Sequence, residues 1–94
     1  MTSKPNVSTS LNLYDQAEKL IPGKTQLISR RASGHAYPIS PIYAKQAKGS
    51  KFTDVDGNQY IDWVNAVTAV ILGHSDDVVD NAVKNQIDKG SIYT

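Results

Sequence analysis

The chain contains no cysteine. Disulfide scaffolds, cysteine-based zinc sites and thiol catalysis are therefore excluded. An excess of charge of one sign is missing too. Ten Lys and Arg face nine Asp and Glu, a net of +1, so charge gives no reason to expect nucleic acid or an anionic membrane as partner. Long hydrophobic runs are absent. The longest, residues 64–73, is roughly half of what a membrane-spanning helix needs. Residues 1–10 lack the apolar core of a secretory signal, so a cytoplasmic setting is expected. His35 and His74 lie far apart in the sequence and form no helical metal-binding pair, and no nucleophile-elbow motif occurs. No metal site is expected.

What is present fits one domain or less. A chain of 94 residues buries a small fraction of its surface, and neither a disulfide nor an evident metal compensates. It is either a complete small domain or a piece of something larger.

The element order follows from pattern and punctuation. Residues 1–10 read as a flexible N-terminal tail, with Ser10 as the N-cap of a first helix. The Asn6-Val7-Ser8 sequon within the tail is a chance match without a secretory signal. Leu13, Tyr14, Ala17, Leu20 and Ile21 share one helical face, and Pro22-Gly23 stops that helix. Residues 24–41 hold two prolines, one glycine and no lasting period, and read as a long irregular loop of the kind that often carries function. Residues 42–47, 51–55 and 59–64 read as three strands. Asp56-Gly57-Asn58 is a tight-turn signal between the last two. Ser75, Asp76 and Asp77 suit the start of a second helix, whose buried face is Val78, Val79, Ala82, Val83 and Ile87, and Gly90 suits its end. The apolar strip 64–73 needs cover on both faces, more than two helices provide, so a missing partner layer is expected.

Several local patterns carry competing readings. Gly23-Lys24-Thr25 looks like the end of a phosphate-binding loop, but Glu18 stands where that loop needs Gly and a helix precedes it instead of a strand. Asp54-Val55-Asp56-Gly57-Asn58 resembles a calcium loop, yet Gly57 comes too early, so the turn reading prevails. His74 is either an active-site residue at a helix entrance or a turn histidine bonded to backbone. Arg30-Arg31 is either a solvated basic pair or a fork for carboxylate or phosphate. Arg30-Arg31-Ala32-Ser33 also resembles a basophilic kinase site, which so short a pattern does not establish.

An ordered set of motifs carries a family resemblance. Gly49-Ser50-Lys51-Phe52-Thr53-Asp54-Val55-Asp56-Gly57-Asn58-Gln59-Tyr60-Ile61-Asp62 fits G-x4-D-x-D-G-x-x-Y-I-D. Leu72-Gly73-His74 follows it, and Leu20-Ile21-Pro22-Gly23 precedes it. Together they resemble the N-terminal region of class III pyridoxal-phosphate-dependent aminotransferases, nearest the glutamate-1-semialdehyde 2,1-aminomutase branch. The resemblance implies an α+β segment of helix, long loop, three-stranded antiparallel meander and helix. That segment would belong to the small domain of a fold type I transferase, with residues 11–94 its incomplete N-terminal part. It implies an enzyme that moves an amino group between an amino compound and a carbonyl. The implied assembly is a homodimer with pyridoxal 5'-phosphate on an internal lysine.

That lysine and the aspartate that pairs with the cofactor ring lie downstream of this segment in such enzymes. No catalytic or cofactor-binding residue is therefore assigned here, and these 94 residues alone are expected to be inert. One role carries over: Arg30, at the right spacing after Pro22-Gly23, would meet a substrate carboxylate, with Arg31 as its rival. Three departures stand out. Leu27 occupies an expected serine position and Val67 an expected active-site tryptophan position. Asp76-Asp77 replaces the usual His-Pro. The first two touch the substrate pocket and bear on the aminomutase reaction more than on the family. The alternatives are a complete non-catalytic interaction module, using the strip 66–72 and Arg30-Arg31 as its contact surface, or a companion chain of a split enzyme.

Overall fold

A computed structural model describes residues 3–93. Helix α1 (Ser8–Leu20) is followed by an irregular segment containing three short 3-10 turns, Pro22–Lys24, Ile28–Arg30 and Ala32–Gly34. Strands β1 (Ala44–Lys48), β2 (Lys51–Asp54) and β3 (Gln59–Ile61) come next, then a single helical turn α2 (Asn65–Thr68) and helix α3 (Asp77–Ile87). The strands form an antiparallel sheet in the order β1-β2-β3. The α+β order of helix, loop, meander and helix is therefore as the sequence implied. Cross-strand pairing sets Phe52 opposite Tyr60, and their rings stack with centroids 5.2 Å apart.

The β2–β3 turn is organised by one carboxylate. Asp54 is fully buried. Its Oδ1 accepts the amides of Asp56 (3.0 Å) and Asn58 (2.8 Å). Its Oδ2 accepts the Asn58 Nδ2 (2.9 Å) and the Tyr60 hydroxyl (3.2 Å). Burial, and then the Asp54 charge, push the Tyr60 phenol above its ordinary pKa, so it remains a donor. Gly57 takes the positive φ of +90° that the tight turn demands.

The tip of that turn also holds α1. Asp56 accepts the amides of Thr9 (2.6 Å) and Ser10 (2.9 Å), two of the orphan donors that open any helix. Partial burial pushes the Asp56 pKa up, but the donors from Ser10 and Thr9 outweigh it and hold the group below the ordinary carboxylate value. The Asn58 amide adds a bond to the Asn6 carbonyl at 2.7 Å. Ser10 is therefore not the N-cap. The helix begins at Ser8, the Asn6 side chain accepts the Ser8 amide at 3.1 Å, and Ser10 is buried inside the first turn. Three residues read as tail belong to the helix, and residues 1–2 of that tail lie outside the described residues.

The segment after β3 is fastened at two points. Gly73 lies so close to Gly49 that a Cβ on it would stand 2.9 Å from the Gly49 Cα, and its φ is +89°. One residue on, His74 and Gly49 exchange both backbone hydrogen bonds at 2.9 Å. Between the end of β3 and these fixed points lies α2, where Asn65, Ala66, Val67 and Thr68 all have positive φ, at 51°, 48°, 56° and 72°. This is a turn of left-handed helix built without glycine, a conformation that costs roughly 1–2 kcal/mol per L-residue.

Helix α3 starts as its sequence suggested. Asp76 accepts the amides of Val78 and Val79, both at 3.1 Å, and Gly90 past its end has a φ of +96°. Its expected apolar face is not buried, however. Val78, Val79, Val83 and Ile87 are all exposed, Val78 by 80%. The face expected on α1 is also largely open. Leu13, Leu20 and Ile21 are exposed, and among the described residues the buried apolar ones are Ala17 and Ala32. Val67 is 74% and Ile71 81% exposed, so the strip 64–73 lacks cover within the described chain. The periodicity reports correctly which faces are apolar; the surfaces that would cover them are not among these residues.

Candidate functional site

Arg30 and Arg31 follow one another in sequence but serve different places. Arg30 closes the second 3-10 turn and borders a cleft of about 530 Å³ that also involves Lys24, Gln26, His35, Tyr43 and Phe52. Arg31 turns back onto the Pro22-Gly23 stop. A Cβ on Gly23, whose φ is +75°, would stand 2.9 Å from the Arg31 Nε. Arg31 borders a separate cleft with Tyr14, Glu18 and Ser33. Gly23 thus ends the helix and also leaves room for a guanidinium.

The cleft beside Arg30 is lined by cationic and neutral groups and by no carboxylate. Lys24 is tethered. Its Nζ lies 3.1 Å from a Glu18 carboxylate oxygen and 4.0 Å from the centre of the Tyr14 ring. The hydrogen bond to Glu18 holds its pKa above the ordinary lysine value. Tyr43 donates to the Lys24 carbonyl at 3.2 Å, and burial, with Tyr14 next, pushes its phenol pKa up. The Lys24 ammonium is thus neutralised by Glu18, and the cleft offers a guanidinium fork from Arg30 and an apolar wall from Phe52 and Ile42. Such a surface suits a small anion with an apolar body.

His74 sits elsewhere. Its Nε2 is 2.6 Å from Asp62 Oδ2, and Asp62 Oδ1 accepts the amides of Val64 (2.8 Å) and Asn65 (3.1 Å). The His74 bond and then the Val64 amide hold the Asp62 pKa below its ordinary value. His74 is thus a turn residue, bonded to backbone through its main chain and to a carboxylate through its ring. Lys48 straps the start of α3 in the same region. Its Nζ donates to the Ser75 carbonyl (2.6 Å) and to Asp77 Oδ1 (2.7 Å). Sequence reasoning read Asp56 only as a turn residue and gave Asp62 and Lys48 no separate role. The D-x-D-G-x-x-Y-I-D spacing holds the first two, but spacing does not reveal partners so distant along the chain.

The model of the class-III aminotransferases matches residues 32–94, more than half of the chain. The chain belongs to that family. It is 38% identical over 93 residues to a glutamate-1-semialdehyde 2,1-aminomutase of Methanosarcina acetivorans, covering 99% of this chain and 21% of that protein. Its fold is similar to an omega-transaminase from Sphaerobacter thermophilus, with a TM-score of 0.78 and 30% identity over 93% of this chain and 19% of the other. It is similar also to a transaminase with PLP bound, with a TM-score of 0.79 and 26% identity, covering 94% of this chain and 20% of that one. The chain spans about a fifth of the length of the proteins it matches.

The residues of this aminotransferase-family chain do not themselves fit pyridoxal phosphate. An imine-forming lysine must give up its proton readily. Lys24 and Lys48 are instead held protonated, by Glu18 and by Asp77. The other lysines are exposed. Asp54 and Asp62 are engaged by amides, a hydroxyl and an imidazole, which leaves neither free to pair with a pyridine nitrogen.

Proposed function

We propose that this chain is the N-terminal segment of a pyridoxal-phosphate-dependent enzyme that moves an amino group between an amino compound and a carbonyl. The reaction is a transamination or an aminomutase-type internal shift. The family match over residues 32–94 carries this reading, supported by similarity to both an aminomutase and an omega-transaminase. In this reading the segment belongs to the small domain of a fold type I enzyme, a cytoplasmic homodimer. The rest of the polypeptide binds the cofactor and covers the exposed apolar faces. The cofactor supplies the electron sink for the substrate carbanion. The 94 residues alone transfer no amino group.

Arg30 has the role of receiving the substrate carboxylate. Its place beside a cleft without carboxylates supports this, and the engagement of Arg31 with Gly23 favours Arg30 over its neighbour. A charge-assisted hydrogen bond is worth about 1.5–3 kcal/mol, or roughly 10- to 150-fold. In the intact protein, Arg30→Ala should raise KM by that factor for an amino donor bearing a carboxylate. It should leave an amine donor without a carboxylate unchanged, and Arg31→Ala should not discriminate between the two. Equal losses for both donors with Arg30→Ala would remove the assignment. The exposed strip 64–73 also favours a second reading, a companion chain of a split enzyme. Amino-transfer activity appearing only when a separately encoded partner is added would support it.

A further inference from the structure

A further fastening, around Asp62, lies outside the Arg30 cleft. One carboxylate there reaches three places. Oδ1 accepts the amides of Val64 and Asn65, at the entrance to the left-handed turn, and Oδ2 meets the His74 ring beyond its exit. The main chain of His74 is itself bonded to Gly49, so the imidazole is anchored to the β1–β2 hairpin. Both ends of the segment are thereby tied to one side chain.

What they enclose would not persist alone. Four consecutive non-glycine residues at positive φ, two of them β-branched, form a conformation that L-residues avoid. Its own support is slight. The loop is held internally by Val67 to Val64 (3.0 Å), Ala69 to Ala66 (3.4 Å), Val70 to Asn65 (3.4 Å) and Gly73 to Val70 (2.8 Å), two of them at the long limit. Its side chains bury little, and Val67, Ile71 and Leu72 are exposed. A strained segment endures where its surroundings over-determine it. Here those surroundings are Asp62 and His74.

We propose that Asp62 and His74 form a latch that holds residues 65–68 in the left-handed turn. With the latch closed, the loop presents its apolar residues outward as a fixed surface. With it open, the turn relaxes toward ordinary φ while the β1–β2 hairpin stays intact. Asp62 is thus a positioning residue that acts through the backbone it holds.

Glycine provides the decisive test, because it occupies positive φ without a Cβ penalty. Hydrogen exchange would be followed on the intact protein. Asp62→Ala is expected to speed exchange of the Ala69, Val70 and Gly73 amides at least tenfold, with the β1–β2 amides unchanged. Asn65→Gly with Thr68→Gly, added to Asp62→Ala, should return those rates to within about twofold of wild type, since the turn no longer needs the latch. If Asp62→Ala fails to fold, His74→Ala and Asp62→Asn are read in its place. Each opens one arm of the latch and should give a smaller, local acceleration with the same rescue. Unchanged loop amides, acceleration spread equally over the sheet, or acceleration that the glycines do not reverse would each overturn the proposal.

Discussion

Replacing Asp54 tests whether one buried carboxylate organises the hairpin and, through it, helix α1. The side chain accepts four hydrogen bonds, two from backbone amides and two from side chains. A hydrogen bond to a charged group contributes about 1.5–3 kcal/mol, so four set an upper bound of about 6–12 kcal/mol. Two effects reduce it. The buried carboxylate costs several kcal/mol of desolvation that alanine does not incur. Asp56, Asn58 and Tyr60 are only half-buried, so water recovers part of what their donors lose. The balance for Asp54→Ala is about 3 kcal/mol. Asp54→Asn keeps an acceptor for both amides but turns an NH2 group toward the Asn58 NH2, and should cost about 1–2 kcal/mol. Urea unfolding of the intact protein measures both through the midpoint at unchanged slope. Asp56 lies in the same turn, so adding Asp56→Asn to Asp54→Ala should cost less than it does in the wild type. A loss below about 1 kcal/mol for Asp54→Ala, or strict additivity with Asp56→Asn, would refute the reasoning.

Further outcomes follow from two positive-φ glycines and from the ionised groups. Gly73→Ala places a Cβ against Gly49 backbone atoms at a φ of +89° and should cost about 2–4 kcal/mol, visible as a lowered unfolding midpoint. Gly57→Ala, at a positive φ but with open space around it, should cost only the conformational part, about 1–2 kcal/mol. Acid should weaken the fold in a defined window. Asp62, Asp56 and Asp77 all have pKa values below their ordinary ones in the folded chain. Their contribution is complete above the unfolded carboxylate value of about 3.9 and is lost as pH falls through the folded values. Lys24 and Lys48 have raised values, so their contribution is complete below about 10.4 and is lost as pH rises past it. Stability should therefore be flat with respect to these groups between about pH 5 and 9, and Asp62→Asn should make the acid limb shallower.

The meander, the Asp-Gly-Asn turn, the helix stop at Pro22-Gly23 and the Asp76 cap were legible because each rests on neighbours a few residues apart. What was not legible depends on contacts across the chain. Ser10 looks like a cap, but the carboxylate that serves that helix belongs to Asp56. The α3 face looks buried because its period is right, yet nothing among the described residues covers it. The left-handed turn carries none of the glycines that would announce it. Arg30 stands apart from Arg31 in the sequence only by its spacing after Pro22-Gly23; the place of the Arg31 guanidinium against Gly23 is a contact that spacing does not show. Legibility thus ended where a side chain's partner lay beyond one helical turn or one hairpin.

The bond from Asp56 to α1 has a consequence for the order of events during synthesis. The helix is made before the hairpin, and the carboxylate that satisfies the Ser10 amide is 46 residues further along. At translation rates of about 5–20 residues per second, that group arrives roughly 2–9 seconds later. Until then the Thr9 and Ser10 amides have only water to satisfy them, and the first turn of α1 frays.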